Sequence, residues 1–157
     1  MLKKILIVFA IIGVVAVIGF VALGYGTYKV TDEALKEKEP QLRQYVQMDE
    51  AAQNNYVLAN INELFSKIDL DNDGKPEDKE KMERLMKLNK QPDIQAASIN
   101  IGRSLLASVI LLSDPILNDM SAEVKAKYEK ESSELETRME KYQKLIDAAD
   151  PSLLADK

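Results

Sequence analysis

Residues 5–28 run without a single charged side chain, an Ile-, Val-, Ala- and Gly-rich stretch behind Lys3 and Lys4. About 20 apolar residues at ~1.5 Å per residue cross a hydrocarbon core of ~30 Å, so the stretch has the length of a membrane-spanning helix. Tyr25 and Tyr28 fall where an interfacial aromatic belt lies, and Lys29 begins the polar chain. The apolar run exceeds the ~7–15 residues of a signal-peptide core, which favours an uncleaved anchor over residues 1–28. The alternative is cleavage near Ala22-Leu23-Gly24, which would leave a secreted domain. Lys29, Lys36 and Lys38 partly balance Lys3, Lys4 and the amino terminus across the bilayer. The expected arrangement is a single-pass cell-membrane protein with a short inner tail and an extracytoplasmic domain over residues 29–157.

The chain has no cysteine, histidine or tryptophan. Cys/His zinc sites, cysteine nucleophiles, disulfides and a Ser-His-Asp triad are therefore excluded, and an enzyme is not expected. The formal charge is -5, and because Lys3 and Lys4 precede every other charged residue, the chain from Lys29 onward sets 19 bases against 26 acids. Such a surface repels nucleic acid and anionic headgroups, so no nucleic-acid partner is expected.

From Lys29 the sequence reads as helix throughout, with no period-2 alternation long enough for a strand. The fold class expected is all-α: an N-terminal transmembrane helix followed by a four-helix bundle-like domain. The first helix starts at Thr31 or Pro40 and ends near residue 68, burying Leu42, Tyr45, Ala52, Tyr56 and Ala59 and then Ile61, Leu64, Phe65 and Ile68. The second starts at Pro76 and buries Met82, Leu85 and Met86. The third covers about residues 93–113 and is apolar nearly all round from Leu105 to Leu112, as a central helix is. Gln95, Asn100 and Arg103 argue against its being a second span, and Arg103 is expected to pack its stem and pair its head with an acid. The fourth is capped by Ser121 and stops at Asp150-Pro151, with Ser132 interrupting its apolar stripe and Glu134–Arg138 as an i,i+4 pair on its wet face.

Between the first two helices, residues 69–80 read Asp-Leu-Asp-Asn-Asp-Gly-Lys-Pro-Glu-Asp-Lys-Glu. Acids recur at Asp69, Asp71 and Asp73, Gly74 follows, and Glu77 and Glu80 stand at the ninth and twelfth positions. Calcium takes about six to eight oxygens at ~2.3–2.6 Å, which a short turn supplies only if acids alternate and a bidentate acid closes the far side. A plain Asp/Asn/Gly turn is the simpler reading. At ~5% for each acid and ~7% for glycine, however, the pattern arises by chance in roughly one chain in ten thousand of this length.

This stretch resembles the loop of the EF-hand family. Ile61, Leu64, Phe65 and Ile68 occupy the apolar positions of that family's entering helix, so the resemblance covers residues 61–88. It implies Ca2+ held by Asp69, Asp71 and Asp73, by the backbone carbonyl of Lys75, by Glu77 directly or through water, and by Glu80 as the closing ligand. Two departures matter. Lys81 and Arg84 stand where the family has apolar residues, and Pro76 replaces the residue whose N–H pairs with a partner loop. No second such run exists, so the motif is a solitary hand rather than half of a paired sensor. Repulsion among five carboxylates makes calcium an expected clip between the first two helices, with an affinity of ~10⁻⁵–10⁻³ M. The function expected is a calcium-binding envelope protein acting as a binding or scaffolding module for a protein partner. The alternative is a calcium-responsive regulator that exposes Met82 and Met86.

Overall fold

The computed structural model describes residues 28–67 and 76–153, with the side chains of residues 28–34, 61–79, 81, 82 and 153 left aside. Of the proposed anchor at residues 1–28 all but Tyr28, and the loop residues Asp69, Asp71, Asp73 and Lys75, lie outside the described residues. Within them the chain is all-α, with seven α-helices, a closing 3-10 turn and no strand. The helices are α1 (Tyr28–Gln47), α2 (Glu50–Lys67), α3 (Pro76–Leu88), α4 (Pro92–Leu111), α5 (Asp114–Asn118), α6 (Ala122–Ser133) and α7 (Leu135–Ala149). The turn is Pro151–Leu153.

The expected first helix is in fact two. Pro40 neither starts nor ends α1, although proline removes one ladder hydrogen bond from a helix interior. Leu35 before it and Leu42 and Tyr45 after it are all buried on one face and hold the helix through that loss. The chain turns instead at Met48 and Asp49, where the carbonyl of Tyr45 accepts from the Met48 N–H (3.1 Å) and from Gln53 Nε2 (3.0 Å). Asp49 then caps α2, its Oδ1 accepting from the Ala52 N–H at 2.8 Å. The break resets the phase of the buried face. Gln53 and Val57 are buried, Tyr56 is half-buried against Tyr45, and Ala52 and Ala59 fall half-buried and exposed. The expected burial of Ala52 and Ala59 is thus corrected.

α3 begins at Pro76, as a first-turn proline should, and carries Lys87 in its last turn. It docks through Leu85, which is buried, with Met86 and Leu88 half-buried against the core. Pro92 opens α4 and Asp93 lies in its first turn. α4 is the central element: it packs against α2, α5, α6 and α7. Its buried face includes Ile94, Ile101, Leu105, Val109 and Ile110, which meet Tyr45, Val57, Tyr142 and Ile146 in one core cluster. Its apolar run ends one residue early, since Leu112 is 63% exposed beyond the helix end. Pro115 does not stop helix either; it sits in the first turn of α5.

The fourth expected helix is likewise split, at Glu134. Ser121 caps α6 by accepting from the Val124 N–H (3.3 Å), and α7 stops at Ala149 before Asp150-Pro151, as the sequence signals require. At Glu134, φ is -83° and ψ is -3°, against the ~-63° and ~-42° of regular helix. The carbonyls just before this point have side-chain donors: Ser133 Oγ donates to Lys130 (2.8 Å) and Ser104 Oγ of α4 donates to Glu131 (2.6 Å). Hydroxyls that bond helix carbonyls compete with the ladder and bend it.

Candidate metal loop and the buried arginine cluster

Two places are candidates for a site, the acid loop and a polar cluster around α4. At the loop, α2 reaches Lys67 and α3 starts at Pro76, so residues 68–75 connect two formed helices. Glu77 and Glu80 belong to the start of α3, and Glu80 is exposed there. Among the described residues, no group of three acids is placed to hold a metal ion. Arg84, unusual for an EF-hand exiting helix, has a use of its own here. It pairs with Asp150 and donates to Ser152 Oγ (2.5 Å), tying α3 to the carboxyl end of α7.

The second site forms where α2, α4, α6 and α7 meet. Arg103 Nη1 donates to Glu50 (2.8 Å) and to Asn54 Oδ1 (3.3 Å), and its Nη2 donates to Glu131 Oε1 (2.9 Å). Arg138 Nη1 donates to the other oxygen of Glu131 (2.6 Å), to the carbonyl of Asn100 (2.8 Å) and to Ser104 Oγ (3.0 Å). Its Nη2 donates to Glu134 at 2.5 Å. Only 16% of the Glu131 side chain is exposed, against 9% and 18% for its two arginines. Each carboxylate oxygen is therefore bonded by a different half-buried or buried guanidinium, and burial without such partners would be prohibitive.

The sequence anticipates an acidic partner for Arg103 and the Glu134–Arg138 pair, and both are present. It misplaces Arg138 on a wet face. The side chain turns inward because Glu131, one helical turn before the joint, and two α4 oxygens outbid water for its donors. The interruption at Ser132 also has a cause, since its hydroxyl lies 2.7 Å from Ser108 Oγ on α4. Glu131 itself went unrecognised, although Glu131, Glu134 and Arg138 recur at 3-4 spacing along one face.

Above this cluster, Gln53 Nε2 also donates to the Tyr128 hydroxyl (3.1 Å). Burial raises the phenol pKa of Tyr45 and Tyr142 far above the ordinary 10. A raised phenol stabilises the fold fully below pH 10, and that stability is lost as the unfolded chain ionises at higher pH. The hydrogen bond from Arg103 holds Glu50 below its ordinary value, and those from Ser152 and then Arg84 do the same for Asp150. Their contribution is present above the usual carboxylate range and lost as pH falls through the lowered values. A pH series of thermal melts should therefore show a steep fall above about pH 10 and a shallow one below about pH 4. A melt that is flat between pH 9 and 12 would contradict the buried phenols.

Tyr142 is 1% exposed, and its hydroxyl has no hydrogen-bond partner among the described residues. A buried hydroxyl left unpaired costs about 1–3 kcal/mol. Tyr142→Phe should accordingly raise stability by about 1 kcal/mol in denaturant titration, and a loss of stability would show that the hydroxyl is bonded in solution.

By length and mean hydropathy (1.4), α4 is one helix able to cross a membrane, but 61% of that window is buried inside the protein. Compared with known proteins, the chain matches no family model, no curated protein and no solved structure.

Proposed function

We propose that the protein is a single-pass, membrane-anchored helical envelope protein in which one calcium ion clips α2 to α3, and that its extracytoplasmic, four-helix bundle-like domain serves as a binding or scaffolding module for a protein partner. The observation that carries this reading is the ligand spacing of residues 69–80, flanked by α2 on one side and by α3 on the other, with Glu80 exposed at the start of α3. The donor set is all oxygen, which suits a hard cation. Asp69, Asp71, Asp73, the Lys75 carbonyl, Glu77 and Glu80 would hold it.

The clip has a physical reason to be needed. The five ligand carboxylates and Asp78, six acids within twelve residues, repel one another, and among the described residues α3 meets the core through buried Leu85, half-buried Met86 and Leu88, and the Arg84–Asp150 pair. A divalent ion replaces that repulsion with ligation and fixes the start of α3 against the end of α2. The anchor supplies the location: residues 5–28 carry no charge, and α4, though long enough, keeps Arg103 paired inside the domain.

The test is a thermal melt of the full chain in detergent micelles, with calcium and with chelator, in the presence of an apolar-surface dye. The clip predicts a higher Tm with calcium and no gain in dye binding. Calcium-dependent dye binding would instead favour the regulator, in which Met82 and Met86 become exposed.

A further inference from the structure

We infer that Asp150 and Ser152 are positioning residues for the calcium loop: they hold the Arg84 guanidinium at the carboxyl end of α7 and so keep Glu80, the closing ligand, free of an ion pair. The inference rests on the calcium clip proposed above and extends it to residues far from the loop in sequence.

On a helix surface, the neighbours of a side chain lie three and four positions away. For Glu80 these are Pro76, Glu77, Glu83 and Arg84, so Arg84 is the one cation at those positions. A glutamate followed four residues later by a base is also the favoured order for such a pair. Arg84 nevertheless points elsewhere. Its Nη2 donates to Asp150 Oδ2 and to Ser152 Oγ (2.5 Å), and Ser152 Oγ donates in turn to Asp150 Oδ1 (2.7 Å), which closes a ring of the three side chains. The Glu80 carboxylate, exposed at the start of α3, has no hydrogen bond or ion pair among the described residues.

The end of α7 makes this possible. Asp150 leaves the helix with φ -152° and ψ 84°, and the turn Pro151–Leu153 brings Ser152 back beside it. The Asp150 side chain is only 22% exposed, so its pair with Arg84 is less screened than one with the exposed Glu80 would be. The diversion matters because a guanidinium on the Glu80 carboxylate would occupy the oxygens that a bidentate closing ligand gives to calcium. An arginine where the EF-hand family has an apolar residue is thus compatible with the metal, because its donors are taken at the far end of the domain.

Calcium titration of the full chain in micelles, in competition with a chromophoric chelator, tests this. Asp150→Asn should weaken calcium binding about twofold, the size of one exposed i,i+4 pair, and Ser152→Ala should act in the same direction. Arg84→Met should bind calcium at least as tightly as the unaltered chain, and Arg84→Met combined with Asp150→Asn should restore the unaltered affinity. A latch that merely docks α3 predicts the opposite, since Arg84→Met and the double variant would then weaken binding as much as Asp150→Asn does. That result would overturn the inference, as would an unchanged affinity in Asp150→Asn, and either would leave the clip standing. No binding by the unaltered chain would overturn the clip and the inference together. Far-UV circular dichroism reports whether each variant is folded; if Asp150→Asn is not, Ser152→Ala with and without Arg84→Met decides by the same criterion.

Discussion

Glu131→Gln is expected to destabilise the domain by about 3–5 kcal/mol and to lower Tm by roughly 10–15 °C. The side chain keeps its shape, so the loss is electrostatic. Glu131 is the one acid that bonds both Arg103 and Arg138, and replacing it leaves two guanidiniums, 9% and 18% exposed, to share Glu50 and Glu134. Breaking a buried pair from one side strands the other charge, which is why such losses exceed the net value of the pair itself. Glu50→Gln is the control. Its side chain is 71% exposed and its pairing with Arg103 is screened by water, so its loss should be clearly the smaller of the two. Urea titrations of the two variants decide the point, and equal losses would mean that the cluster does not act as a unit around Glu131.

The second large effect is expected from calcium. With an affinity of ~10⁻⁵–10⁻³ M, a calcium concentration of ~10 mM stabilises a folded binder by about 1.4–4 kcal/mol over the chelated protein. That corresponds to a rise in Tm of roughly 5–15 °C for a domain of this size. Glu80→Gln removes the closing acid without disturbing α3, since Glu80 is exposed, and should abolish most of the shift. Asp71→Asn, which removes one charge from the alternating set, should weaken it about tenfold in midpoint concentration. Magnesium, smaller and reluctant to shed water, should produce a lesser shift. A Glu80→Gln chain that melts with an undiminished calcium response would place the ion elsewhere.

How much of this was legible in the sequence depended on where each feature is decided. Pro76, Pro92, Ser121 and Asp150-Pro151 mark helix boundaries through the backbone chemistry of the residue itself, and those boundaries hold within a residue or so. The joints at Asp49 and Glu134 did not read out so directly. Asp49 offers a cap, but the apolar pattern running through it reads as continuous helix; the break depends on Gln53 reaching back to Tyr45. The joint at Glu134 has a local part, Ser133 bonding the Lys130 carbonyl, and a distant one, Ser104, 30 residues earlier in the chain, which no local signal reports.

The same distinction applies to the sites. A single arginine in an apolar helix announces that it needs an acid, and Arg103 has two. Which acids was not readable, because Glu50 and Glu131 come to it from helices on either side in sequence. Ser132 looked like a flaw in an apolar stripe and is a contact to Ser108. The acid loop is the reverse case. The expectation of oxygen ligands there rests on the spacing of consecutive residues alone, while the partner and pathway of the domain leave no local mark.

The most direct test of the calcium clip is isothermal calorimetry of the full chain in detergent, stripped of metal and titrated with calcium. The account predicts one site per chain, with a dissociation constant of ~10⁻⁵–10⁻³ M, lost in Glu80→Gln. No heat of binding up to millimolar calcium, in a chain that melts cooperatively and at the same temperature in chelator, would contradict it.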